Sequence, residues 1–195
     1  MTTSPTTLTL AALDSRLSVP TRQLEAPGPD HDTLLRILRS AVRVPDHGKR
    51  VPFRFLRIAG DDRKALADAT IARLLQRESR PAEGAIEKLR NRFTLPPLTI
   101  AVIARLGEDE KIPVSERQAT ASCVCLLLLQ AAQAEGYGAQ WLTGWPCYDR
   151  PFLENTLGLQ ADEQLVGTIA MGTPQVDVPD RERPDPRDLL TDLTL

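Results

Sequence analysis

Two histidines, His31 and His47, and three cysteines, Cys123, Cys125 and Cys147, are the whole supply of imidazole and thiol in this 195-residue chain. A metal site with several histidine ligands, or an HExxH helix, therefore has no residues to draw on. The cysteines are odd in number and lack metal-site spacing, and two of them lie in a strongly apolar stretch. Buried, reduced thiols of a cytoplasmic protein are expected. His31 follows Pro29 and Asp30, where a solvated residue in a first helical turn is expected, so His47, between Pro45 and Gly48, is the histidine left for a site. No GxGxxG or GxxxxGK[ST] run supplies a phosphate cradle at a strand-to-helix turn, which argues against a Rossmann domain. Taken singly, Arg43 reads as a solvated residue near a helix C-terminus, in register with Arg36 and Arg39. Trp141 taken singly reads as an aromatic core residue on a strand.

The elements that would position these residues follow from local signals. A short amphipathic helix is expected over residues 7–14, with Leu8, Leu10, Ala11 and Leu13 near helical spacing. Asp30 caps a helix in which Leu34, Leu35, Leu38, Ala41 and Val42 share a face, and Pro45 is expected to end it. Residues 51–58 alternate as a strand, and Gly60-Asp61-Asp62 opens a helix to about Gln76. The polar stretch 77–92, interrupted by Pro81 and Gly84, is expected as a mobile lid or an exposed helix. β-Branched Ile100, Val102 and Ile103 after Pro96-Pro97 predict a strand over 98–105. Ser115 and Gln118 suit a capping box for a long helix that runs to about Glu135 and stops at Gly136. Its interior is apolar on nearly every side over about 14 residues, short of the roughly 20 that cross a bilayer, so burial against a sheet and a partner subunit is expected. Strands over 138–143 and 165–171 flank a short helix capped by Asp149 and closed near Gly158, and an extended tail follows from about residue 176.

Composition sets the limits. Hydrophobic residues are 42% and charged residues 26% of the chain, enough for one packed domain. The formal charge of −2 provides no basic field for nucleic acid or anionic lipid. Residues 1–12 lack the basic start and apolar core of a secretory signal, so a cytoplasmic location is expected.

Three segments gain meaning together. The first is Arg16-Leu17-Ser18-Val19-Pro20, with Leu24 and Pro27-Gly28-Pro29 after it. The second is Arg43-Val44-Pro45-Asp46-His47-Gly48, with Pro52-Phe53-Arg54-Phe55 shortly after. The third is Gly136-Tyr137-Gly138-Ala139-Gln140-Trp141-Leu142-Thr143-Gly144, completed by Gly167 and Gly172-Thr173-Pro174. In this order, from about Leu10 to Gln175, they resemble the nitroreductase family, specifically its compact subgroup of small NAD(P)H nitroreductases.

The resemblance implies an α+β fold with a central, mostly antiparallel sheet flanked by helices. It further implies an intertwined homodimer whose two FMN sites lie at the subunit interface. By the same resemblance FMN would be contacted by Arg16, Leu17 and Ser18, by Arg43 and His47, and by Trp141, Leu142 and Thr143. A nicotinamide cofactor would lie near Ala131, Ala132, Gln133, Ala134, Glu135 and Gly136, where no local motif adds support. Arg16 is chemically suited to a phosphate or to the flavin pyrimidine edge, and Ser18 adds a short hydrogen bond. The implied activity is hydride transfer from NAD(P)H to FMN and reduction of a small acceptor such as a nitroaromatic or quinone, with no protein acid or nucleophile required. Leu17 replaces the usual second arginine. A flavin-binding homologue with weak or no turnover, or a different flavin reaction on the same fold, therefore stays open.

Overall fold

The computed structural model describes residues 9–194. In chain order the elements are α1 (Leu10–Asp14), β1 (Leu24–Glu25), α2 (His31–Ala41), β2 (Phe53–Ala59), α3 (Asp62–Arg77), α4 (Ala85–Thr94), β3 (Leu98–Arg105), α5 (Val114–Ala134), β4 (Gly138–Leu142), α6 (Arg150–Asn155) and β5 (Glu163–Pro174). Leu8 and Thr7, part of the expected N-terminal stripe, lie outside the described residues.

Every strand pairing is antiparallel: β2 with β3, β3 with β5, β4 with β5, and the two-residue β1 with the end of β5. Strand β3 is buried along all but its last residue, because its alternate side chains enter two different cores. Leu98, Ile100, Val102 and Ala104 meet α2 and α5, whereas Ala101 and Ile103 meet α3, α4 and α6. The result is an α+β sandwich with helices on both faces of an antiparallel sheet. Between Val102 and Ile103 the β3–β5 register shifts, leaving Val166 as the extra residue of a bulge. Beside it, a Cβ on Gly167 would sit 2.6 Å from Trp141 Cδ1 and nearer still to the indole nitrogen, so glycine here makes room for the tryptophan.

Several local expectations change in three dimensions. Helix α5 starts at Val114 after Pro113, with no side-chain cap, so Ser115 and Gln118 do not form the expected capping box. The preceding loop is held instead by buried Arg117, which donates to the carbonyls of Gly107 (2.7 Å) and Ile112 (3.2 Å). On α2 the buried face is Thr33, Leu34, Ile37 and Ala41, while Leu35 and Val42 are exposed because they sit about 100° or more off that line. Stretch 77–92 is no free lid in its second half: Leu89 and Phe93, four residues apart, anchor α4 in the core.

Within one chain α5 is not buried all round. Val114 and Leu126 are 51% and 43% exposed, and Cys123 is exposed rather than buried as its apolar surroundings suggested, because it lies on the helix face turned away from the sheet. Cys125 and Cys147 are buried, and burial pushes the Cys125 thiol up to about 12. Among the described residues, no helix is long and apolar enough to cross a membrane. Residues 176–194 carry a single 3-10 turn, Pro186–Asp188, and expose Leu189, Leu190 and Leu193.

Candidate functional site

The segment containing Arg16 and Ser18 lies along the edge of β4 that β5 leaves open. Val19 N–H donates to the Ala139 carbonyl at 2.9 Å, and Thr21 N–H donates to Gln140 Oε1 at 3.0 Å. Close approach is allowed because residue 138 is glycine: a Cβ there would stand 2.8 Å from Leu24 Cδ2 and 3.0 Å from Val19 Cγ2. One side chain fixes the start of the segment. Gln133, from the last turn of α5, accepts the Leu17 N–H through Oε1 (3.1 Å) and donates through Nε2 to Ser15 O (2.8 Å) and Ser15 Oγ (3.0 Å). Arg16 then needs only Ser18, to whose Oγ it donates at 3.3 Å, and no carboxylate neutralises it among the described residues.

Trp141, Leu142 and Thr143 end the same strand. Trp141 packs against the α2/α5 core, and its buried Nε1 has no hydrogen-bond partner among the described residues. The Thr143 carbonyl is held by Arg92 Nη1 at 2.6 Å, and Arg92 Nη2 donates to Thr168 Oγ1 at 2.9 Å. Thr21, Leu142 and Thr143 border one cavity of about 420 Å³. The first and third segments therefore share β4: Arg16–Ser18 lies toward its start at Gly138, and Thr21 reaches Leu142 and Thr143 at its other end.

Arg43 and His47 are elsewhere. Pro45 docks on the opposite half of α5, where its carbonyl accepts Thr120 Oγ1 at 3.2 Å, and His47 Nδ1 lies 2.7 Å from Glu116 Oε2 with both side chains largely solvated. From residues 116–120 to Gln133 the helix rises roughly 20–25 Å at 1.5 Å per residue. One chain therefore does not bring the second segment to the other two. The loop after His47 is strained: Lys49 and Val51 adopt φ of 52° and 47°, a left-handed conformation costly for a β-branched residue. Asp46 pins it by accepting Val51 N–H at 2.7 Å, and Arg50 pairs with Asp109 at 2.6 Å. The Arg50 guanidinium, with the amides of Ile112 and Lys111, holds the Asp109 carboxyl far below the usual carboxylate range.

Known proteins share this fold. The family-wide sequence pattern of the nitroreductase family matches residues 13–173. This chain belongs to the nitroreductase family. Among curated relatives of this nitroreductase-family chain, the putative NAD(P)H nitroreductase YdjA of Escherichia coli K12 is 31% identical over 164 residues, spanning 81% of this chain and 88% of the relative. Among solved structures, a nitroreductase-like family protein from Bacillus cereus superposes with a TM-score of 0.81 at 24% identity, over 97% of this chain and 99% of that one. A Bacteroides fragilis nitroreductase with bound FMN gives a TM-score of 0.66 at 18% identity, over 95% and 98%.

Within this nitroreductase-family chain, residues 131–136 have their side-chain functions already engaged. Ala131 and Ala132 are buried, Gln133 staples the Arg16 segment, and Glu135 accepts two hydrogen bonds of 2.9 Å from Arg36, which holds its carboxyl below the usual range. Only Ala134 and Gly136 are exposed. Two roles have no signal in the sequence: that of Gln133, named above only through the resemblance as a nicotinamide neighbour and here tying down residues more than a hundred positions away, and that of Arg92, one of two arginines on a polar helix.

Proposed function

We propose that the chain is an FMN-dependent oxidoreductase that takes hydride from NAD(P)H and reduces a small organic acceptor such as a nitroaromatic or a quinone. We propose further that it works as a homodimer, each flavin site being built from both copies. Family membership, the relative's name and the bound FMN of a structural neighbour support the reaction class. The observation that carries the composite site is the placement of the Arg16–Ser18 segment at the C-terminal end of α5 and of the Arg43–His47 segment at its other end. A second copy packed on the exposed Cys123 and Leu126 face would bring its own Arg43 and His47 within reach of the first copy's β4 end.

The residues present suit FMN. Arg16 and Arg43 have no carboxylate partner among the described residues, so both guanidinium groups are left with donors for a phosphate or a pyrimidine edge. Ser18 and Thr143 add exposed hydroxyls, and the backbone around Leu142 adds amide and carbonyl groups at the end of a strand. When bound, FMN supplies two-electron transfer between the nicotinamide and the acceptor. The chain's part is to bind and orient: Arg16 places positive charge where negative charge gathers on reduction, and Trp141 and Leu142 exclude water from one side. No side chain need exchange a proton with the nicotinamide. Absorbance of the purified protein in the flavin bands, followed by release and identification of the chromophore and NADH- or NADPH-driven reduction of menadione, tests the proposal. Failure to bind FMN at micromolar concentration would refute it.

A further inference from the structure

The cavity between α3, α4 and the end of β4 holds a cation without a counter-ion. Arg92 enters it from α4, and all its hydrogen bonds among the described residues go to neutral acceptors: the Thr143 carbonyl and the Thr168 hydroxyl. Its Nε is buried with no partner, and the guanidinium carbon lies 5.5 Å over the Phe93 ring. The nearby Cys147 thiol gives no negative charge at neutral pH, since burial raises its pKa. A guanidinium keeps its proton even when burial disfavours it, so the charge remains uncompensated. Lys88 lines the same wall one helical turn earlier, and Glu78 is the single acid facing the space, so the lining is net positive. Leu74, Leu89, Leu142 and Trp145 make the remainder apolar.

We propose that this cavity binds the anionic end of the acceptor, a carboxylate on an apolar, aromatic-sized body, with Arg92 and Lys88 as its cationic wall. The inference rests on the oxidoreductase reading, because Leu142 and Thr143 put the cavity beside the proposed flavin position. A volume of about 420 Å³ suits a single-ring acid. Arg92 also anchors the Thr143 carbonyl, so occupancy of the cavity is coupled to the strand end that faces the flavin.

Isothermal titration of the FMN-loaded protein with 4-nitrobenzoate and its neutral analogue 4-nitrobenzamide tests this directly. The parent should prefer the acid by about ten-fold, the scale of a charge-assisted contact. Arg92→Met should abolish the preference. Lys88→Met, on an exposed helix position that leaves the Thr143 anchor intact, should cut it to about three-fold or less. Equal binding of the two probes by the parent, or an undiminished preference in Lys88→Met, overturns the proposal. So does a Lys88→Met loss of affinity for FMN but not for riboflavin, which would assign the wall to the flavin phosphate. A protein that binds no flavin yet retains the Lys88-dependent preference for the acid would sink the oxidoreductase reading and leave the anion site standing.

Discussion

Replacing Gln133 with Ala removes three hydrogen bonds that tie residues 15–17 to the end of α5, at 3.1, 2.8 and 3.0 Å. A neutral hydrogen bond contributes about 0.5–1.5 kcal/mol net, and less when its partners are solvated, as the two to Ser15 are. Taken together the loss is about 1–2 kcal/mol. If flavin binding must restore the order that the staple now provides, FMN affinity falls by about ten-fold, since 1.4 kcal/mol is one decade. No atom that would touch the flavin has changed. Gln133→Glu is the companion variant: it keeps an acceptor for Leu17 N–H but turns a carboxylate toward the Ser15 carbonyl, so it should bind FMN no better than the alanine variant. Flavin fluorescence titration gives the affinities, and hydrogen exchange at the Leu17 amide reports the staple itself. The reasoning is refuted if Gln133→Ala binds FMN as tightly as the parent with unchanged Leu17 exchange. An increase in KM for NAD(P)H at unchanged FMN affinity would instead make Gln133 a nicotinamide contact.

Arg16→Ala and His47→Ala should each weaken FMN binding, the former by about ten- to a hundred-fold, while His31→Ala, on the exposed first turn of α2, should leave it unchanged; loss of binding in the His31 variant alone would reverse the assignment. Leu126→Glu places a charge on the outward face of α5 and should convert a dimer to monomers in sedimentation velocity, because an obligate interface of about 2,000 Å² or more tolerates no unpaired charge at its centre. A parent that sediments as a monomer at micromolar concentration would contradict the composite site. Glu163 is held down to about 2 from 4.5 by Arg54 first, with the Gln160 amide adding to it. Its pKa is lower in the folded than in the unfolded chain, so its contribution is full above about 4.5 and is lost as pH falls from there toward 2. Glu163→Gln should flatten the urea-midpoint profile across that window, and an unchanged slope would show the pair with Arg54 to be thermodynamically silent.

The elements that local chemistry determines were legible in the sequence. Strand β3 follows from β-branched residues behind two prolines, α6 from the Asp149 cap that accepts Phe152 N–H at 3.0 Å, and the end of α5 from Gly136. The three motif segments were legible as a set, because their residue types and order are written along the chain. Their spatial relation was not. That the Arg16–Ser18 segment lies along β4 depends on a strand edge left open by β5 and on Gln133, whose partners lie 116 and 118 residues away. That Arg43 and His47 stand at the far end of the same helix depends on α2 packing against α5, with Arg36 at Glu135 and Pro45 at Thr120. Arg117 displaced the expected capping box by reaching back to loop carbonyls, and Cys123 turned outward, because burial belongs to the packed helix face and not to the hydrophobicity of neighbours in sequence. Short-range propensities act within a few residues and can be read in order. Which side chain meets which across the sheet is decided by packing between elements, and only the tertiary structure carries that information.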